Sequence, residues 1–279
     1  MKKNLIVYKL FLYIAVIIFI IIVLFPVFWI LISSFTPYGD IFKQPISYIP
    51  KNPTIGNYIS IFTELPYLTL LKNSLLATVS TAIFSVTFSL FAAFAFSRIN
   101  FPLKNFLFLT MLATMILPQI STLLPLFQIF KVTEMMNTIY GLAILYTSQT
   151  LPFTIWAFVG FLNQIPKDIE EAAVIDGSSP LGVLRRIILP LMGPALGTFF
   201  IINFVWAWGE LLYALVFATG IASKTLSVGI VQLSGLTWYE VPWHKMSAMS
   251  ITMIVPLIII VVIFQRKIIS GLTRGAIKQ

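Results

Sequence analysis

Few side chains in this sequence could make or break covalent bonds. The 279 residues include no cysteine and one histidine, His244. That removes thiolate chemistry, disulfides and any Cys- or His-rich metal site. The phosphate-cradling pattern Gly-x-x-x-x-Gly-Lys-Ser/Thr is absent too, so the chain offers no nucleotide site of its own. Carboxylates number nine, and four of them, Asp168, Glu170, Glu171 and Asp176, fall within 163–186. No catalytic residue, metal ligand or bound cofactor is expected. The chemistry on offer in that stretch is docking, with carboxylates presented on a short helix.

The local pattern from Pro166 to Pro190 supports this. Proline suits a first helical turn, where its missing N–H would be unpaired anyway. Asp168, Glu170 and Glu171 then sit where the helix dipole favours negative charge. Gly177 suits a left-handed C-cap about ten residues later. Ser178 or Ser179 can cap a second helix that has Pro180 at its first position. Ala172 and Ala173 keep the first helix thin, and Ile165, Ile169 and Ile175 give it apolar contacts. Such a helix either docks into a groove on another protein or is an ordinary amphipathic connector.

The elements that must hold this loop are set by composition. Hydrophobic residues make up 59% and charged residues 10%, with a mean hydropathy of +0.98. Soluble domains carry about 25% charge, so this chain cannot clothe a soluble surface. Charge-free runs at Leu10–Gly39, Asn73–Ser97, Asn105–Phe130, Met135–Pro166, Ile187–Gly209 and Met246–Gln265 each reach the ~20 residues needed to cross ~30 Å of hydrocarbon. The fold class is all-α and polytopic, a single transmembrane domain over 1–279 with spans near 10–33, 72–97, 105–130, 138–162, 187–217 and 246–266. The ~10-residue alternation of a transmembrane β-barrel is missing. The first apolar run exceeds a signal peptide's core and lacks a small-residue cleavage site, so it reads as an uncleaved span.

With the N-terminus inside, twelve Lys and Arg fall inside (Lys2, Lys3, Lys9, Arg98, Lys104, Lys167, Arg185, Arg186, Arg266, Lys267, Arg274, Lys278) and six outside (Lys43, Lys51, Lys72, Lys131, Lys224, Lys245). This asymmetry follows the positive-inside rule. It accounts for the net charge of +9 without a nucleic-acid partner. Both termini and the 163–186 loop are then cytoplasmic. The outer loop Ser33–Leu71 reads as turns and short helices, and the outer segment Ala218–Lys245 as irregular.

Glu171-Ala172-Ala173, three residues, Gly177, nine residues, then Ile187-x-Leu189-Pro190 resembles the EAA signature of ATP-binding-cassette importer permeases at every defined position. Asn73-Ser74-Leu75, Ala92–Arg98, Pro118 and Pro125, and the ending Gln265–Lys278 are similar to the carbohydrate-uptake branch, in particular the G-type permease subunits of maltose-like sugar importers. One departure is Trp208-Gly209-Glu210, where members often have Trp-Asn-Glu or Trp-Asn-Asp. The resemblance implies the architecture of a type I importer permease in a bacterial or archaeal plasma membrane. It also implies a second, different permease, two cytoplasmic ATPase subunits (a homodimer or heterodimer) that hold ATP and Mg, and an external sugar-binding protein, with membrane lipid around the permeases. Glu170, Glu171, Ala172, Ala173, Asp176 and Gly177 would form the ATPase-coupling contact, with Glu171 facing a basic residue.

Polar and aromatic residues within the spans are candidates for the translocation pathway, since polar groups there are costly unless they face a cavity or partner. They are Gln119, Gln128, Asn203, Trp206, Trp208 and Glu210, with Gln149 as a further pore-lining candidate. Trp206 and Trp208 can equally be interfacial anchors, and Glu210 is expected near the outer membrane edge. Ser74, Thr78, Ser80, Thr81, Ser85, Thr87 and Ser89 suit helix packing better than binding, as does Gly193-x-x-x-Gly197. His244 is expected at the surface. The absence of mid-span Lys or Arg favours neutral sugars over a glycerol-phosphate-type substrate. Span interiors almost free of ionisable groups argue against an ion-coupled secondary transporter. A lipid-modifying membrane enzyme would need clustered acids, His or Arg at one membrane face, and the one acid cluster lies in the EAA loop.

Overall fold

The computed structural model describes residues 2–44, 48–234 and 241–276, with side chains over 8–44, 48–234 and 241–264. Lys2, Lys3, Gln265–Lys278 and positions 235–240 of the outer segment therefore lie outside the described side chains. Among the described residues all regular structure is helical. The helices are α1 (Lys2–Phe35), α2 (Gly56–Thr63), α3 (Tyr67–Arg98), α4 (Lys104–Ala113), α5 (Gln119–Val132), α6 (Ile139–Leu162), α7 (Lys167–Ile175), α8 (Pro180–Val183), α9 (Leu189–Leu191), α10 (Gly193–Gly209), α11 (Leu212–Phe217), α12 (Leu226–Leu233) and α13 (Trp243–Ala276).

Four uninterrupted helices among these residues are long and apolar enough to cross a membrane: Tyr8–Phe35, α3, α6 and Trp243–Phe264. The third and fifth expected spans are broken. Lys104–Ile116 and Gln119–Val132 meet at 107°, and Pro180–Leu191 and Gly193–Gly209 at 76°. Counting each bent pair as one span gives six. Proline explains the first break. Pro118 has no N–H to donate, and its ring forces Leu117 into extended backbone (φ −69°, ψ 126°). In the second, Pro190 and Pro194 flank Met192, and residues Leu184–Ile188 widen into a π-helical turn just before Pro190. Such widening relieves the clash between a proline ring and the carbonyl four residues back. A further interruption at Glu210–Leu211 separates α10 from α11.

The described chain divides into two compact units, 1–67 with 230–256, and 68–229 with 257–279. In the first, the end of α1 is held by α2. Asn57 donates from Nδ2 to the carbonyls of Ser34 and Thr36, both at 2.9 Å, and Ser34 Oγ bonds Tyr58 OH at 2.7 Å. His244 is buried, contrary to expectation. It is 8% exposed, with its ring 4.9 Å from that of Tyr38. Lys245 beside it pairs with Glu64.

In the second unit, α3 presents one face of small residues, with Ala77, Thr78, Thr81, Ala82, Ser85, Ser89 and Ala93 all buried. Their three-to-four-residue spacing forms a single helical stripe, and close approach is what small residues allow. Thr87, off that stripe, is exposed. Two apolar clusters flank the stripe. One gathers Leu90, Phe158, Leu162, Val183, Ile188 and Phe199; the other gathers Ala77, Phe130, Leu145, Tyr146, Tyr213 and Phe217. A polar belt crosses between α3, α6 and α10. Asn203 Nδ2 donates to Ser85 Oγ (3.0 Å) and Thr154 Oγ1 (3.1 Å), and Thr150 Oγ1 donates to Ser85 Oγ (3.0 Å). Interhelical hydrogen bonds in membranes average only ~0.6 kcal/mol, so this belt fixes helix register more than it adds stability.

Part of the segment expected to be irregular is a helix. Leu226–Leu233 is helical, with Leu226 and Val228 fully buried. The Leu226 N–H donates to Ser74 Oγ at 2.7 Å. That cap comes from a residue 152 positions away, which explains why local pattern does not reveal it.

Candidate functional site

The 163–186 loop forms as its capping residues dictate. Pro166 occupies the N-cap position (φ −58°, ψ 131°) and Lys167 begins α7, one residue later than the proline pattern suggests. The helix ends in a Schellman turn: Gly177 N–H donates to Val174 O (3.0 Å) and Ser178 N–H to Ala173 O (2.9 Å). Gly177 takes φ +83°, a conformation that costs other residues about 1–2 kcal/mol. Of the two serines, Ser179 is the cap of α8, accepting the Gly182 N–H at 3.2 Å, with Pro180 next.

Helical spacing sorts the candidate coupling residues onto two faces. Asp168, Glu171, Ala172 and Ile175 recur at i, i+3, i+4 and i+7 and are all exposed, Ile175 at 86%. Asp176 and Gly177 follow, also exposed. Glu170 and Ala173 turn the other way. Glu170 is the buried residue of α7, and Ala173 packs against the cluster of Phe158 and Phe199. Glu170 is therefore not available to a docked protein as the sequence reading has it. Its carboxylate receives Arg98 Nε at 2.8 and 2.9 Å and Arg98 Nη2 at 2.6 Å. The same Nη2 donates to Leu162 O (2.6 Å) and Ile165 O (3.3 Å), satisfying carbonyls at and just beyond the end of α6. Removing one partner of a buried pair leaves an uncompensated charge, a loss of roughly 3–5 kcal/mol.

The second feature is a cavity of about 730 Å³ at the α4/α5 break, within the 300–1,000 Å³ range of ligand sites. Thr114, Met115 and Leu117 contribute the irregular backbone, Gln119, Ser121 and Thr122 the start of α5, Ser148 and Gln149 a face of α6, and Trp206 an indole from α10. None of the described lining side chains is charged. Broken backbone at membrane depth is tolerated where it is buried or lines a water-filled cavity, and here the break and the cavity coincide. Trp206 stands edge-on to Tyr146, ring centres 5.9 Å apart.

Of the pathway candidates, Gln119 and Trp206 line this cavity, as does Gln149. Gln128 is exposed and is not among the lining residues. Asn203 belongs to the polar belt. Trp208, two residues from Trp206 and so on the far side of the helix, is 3% exposed and stacks on Phe204 at 5.6 Å. It is neither an interfacial anchor nor a lining residue. Glu210 is buried, and its carboxylate accepts the Tyr213 (2.8 Å) and Ala214 (3.1 Å) N–H groups, capping α11. Position alone does not reveal a capping role that depends on the chain stopping at Gly209. Ser121, Thr122 and Ser148 also line the cavity and are not among the residues expected from sequence. For Ser121 and Thr122 the signal is Pro118, which marks a break where backbone and hydroxyls need a polar space; Ser148, on α6, has none. A Cβ on Gly193 would meet no described atom within 4 Å, so that end of the Gly193-x-x-x-Gly197 pair makes no close helix contact within the described chain.

Comparison with known proteins shows the family and the fold. The family described as "Binding-protein-dependent transport system inner membrane component" matches residues 85–274. The trehalose/maltose transport system permease protein MalG of Thermococcus litoralis is 35% identical over 97% of each chain. The sulfoquinovosyl glycerol transport system permease protein SmoH of Agrobacterium fabrum is 35% identical over 91% of this chain and 89% of that one. A crystal structure of a bacterial ABC transporter that imports the acidic polysaccharide alginate superimposes with a TM-score of 0.81, at 19% identity, over 93% of this chain and 96% of its own.

Proposed function

The chain belongs to the binding-protein-dependent transport system inner membrane components, a multi-pass permease subunit rather than an enzyme, and from that premise we propose that it forms half of the translocation pathway for a neutral oligosaccharide. It does so beside a second, different permease in the plasma membrane of a bacterium or archaeon. Two cytoplasmic ATPase subunits hold ATP and Mg, and an external binding protein delivers the sugar. Both termini and α7 face the cytoplasm.

The exposed face of α7 carries the reading. Asp168, Glu171, Ala172 and Ile175 point away from the bundle while Glu170 and Ala173 anchor its inner face. A thin helix held this way is suited to a cleft on a partner ATPase, with Glu171 meeting a cation there. Closure of the ATPases then moves α7 and rocks the spans between inward- and outward-facing arrangements as rigid bodies. The cavity at the α4/α5 break supports the substrate class. Amides, hydroxyls and an indole with no charge suit a neutral polyhydroxylated ligand. A glycerol-phosphate substrate would call for basic groups that the described lining lacks.

Copurification from native membranes in mild detergent tests the assembly. The expected result is a second polytopic permease at one copy and an ATPase at two, identified by mass spectrometry. Recovery of the chain alone or as a homo-oligomer, where a control importer stays whole, would contradict it.

A further inference from the structure

We propose that Arg98 and Asn73 are positioning residues that make α3 a rigid link between the ATPase-facing helix α7 and the segment 221–226 at the far end of the same unit. The proposal rests on the permease reading above and adds how a displacement crosses the membrane. α3 is continuous from Tyr67 to Arg98, a rod of roughly 48 Å at 1.5 Å per residue. Each end is tied by side chains to a segment distant in sequence.

At one end Arg98, the last residue of the helix, grips both carboxylate oxygens of Glu170 and the carbonyls of Leu162 and Ile165. Arg98 and Glu170 are both nearly buried at the side chain, 8% and 11% exposed, so water screens the pair little. The planar guanidinium fixes direction as well as distance. Apart from this grip, the inner face of α7 contributes only the methyl of Ala173 to the core, a contact that can slide. A push on α7 therefore reaches α3 through Arg98.

At the other end Asn73 Nδ2 donates to Ile221 O and Lys224 O, both at 3.0 Å, and Ser74 Oγ accepts the Leu226 N–H at 2.7 Å. Three bonds from two adjacent residues hold the start of the outer segment onto the rod. Between the ends, Ser85 ties α3 to Thr150 of α6 and Asn203 of α10, so the rod moves with its neighbours rather than bending alone. The juxtaposition predicts traffic in both directions: a displacement of α7 on ATPase closure reaches 221–226, and a displacement of 221–226 reaches α7.

The test uses the complete importer in proteoliposomes with its binding protein and sugar. It measures basal ATP hydrolysis, its stimulation by the binding protein, and sugar taken up per ATP. Arg98→Gln and Asn73→Leu are each expected to leave basal hydrolysis unchanged. Both should lower stimulation and uptake per ATP by at least about fivefold, the lower end of coupling between linked sites. Arg98→Lys, which keeps the cation and folds if the glutamine variant does not, should fall between. Exchanging the pair (Arg98→Glu with Glu170→Arg) should recover part of the loss, a rescue that mere loss of folded protein would not show. A wild-type ratio of uptake to hydrolysis in Arg98→Gln or Arg98→Lys and in Asn73→Leu overturns the link. Absence of stimulation in the wild-type importer overturns instead the reading on which it rests.

Discussion

Gly177→Pro is expected to leave the permease assembled with its partners and to reduce sugar uptake more than about tenfold, a change of ~1.4 kcal/mol or more in coupling. Two independent causes act at this position. Proline holds φ near −65°, whereas Gly177 takes φ +83°. Proline also lacks the N–H that Gly177 donates to Val174 O. The Schellman turn opens, and α7 loses its fixed direction relative to α8. Space is not the limit, because a Cβ here meets no described atom within 4 Å. Backbone conformation alone then sets the order of effect: asparagine, which visits the left-handed region most readily, is mildest, alanine next and proline most severe. Uptake and binding-protein-stimulated hydrolysis, measured on complexes of equal subunit content, check this. Proline at wild-type level in both would contradict it.

The cavity supplies the second large effect. Ser148→Trp places an indole into the space bounded by Gln119, Gln149 and Trp206. Ser148 is exposed to that space and its hydroxyl bonds back to Leu145 O within its own helix at 2.7 Å, so the substitution spares the buried core. Uptake of the oligosaccharide is expected to fall by at least about tenfold, while subunit assembly and ATP hydrolysis persist. Ser148→Ala removes only a hydroxyl bonded within its helix and is expected to transport normally. Uptake by the tryptophan variant within about twofold of wild type would place the sugar's route elsewhere.

How much of this was legible in the sequence differs from element to element. The apolar runs mark the long helices, and Gly177, Pro180 and the serine pair Ser178 and Ser179 mark the loop's turn, because caps are local chemistry. The breaks at Pro118 and Met192 hid inside charge-free runs, since apolar composition is the same on both sides of a bend. Glu170 and Glu171 are neighbours in sequence but lie about 100° apart around a 3.6-residue turn. Only the structure supplies Arg98, 72 residues away, to take one of them out of reach. Trp206 and Trp208 separate for the same reason, about 200° apart on one helix. Asn203 reads as a pathway residue until its partners Ser85 and Thr154 appear, from two other helices. What sequence conveys is periodicity and capping; what it withholds is which distant helix lies against which face.

The most direct measurement of the central claim, that α7 couples this permease to an ATPase, exploits the absence of native cysteine. Ala172→Cys puts a single thiol on the exposed face of α7. In native membranes, a short heterobifunctional reagent, attached through that thiol and photoactivated, should join the chain to the ATPase. Adding ATP should change the yield as the ATPases close, while a cysteine at Ser148 gives no such adduct. A cysteine at 172 that reacts fully with a small maleimide yet yields no adduct with any ATPase, with or without ATP, would contradict the account.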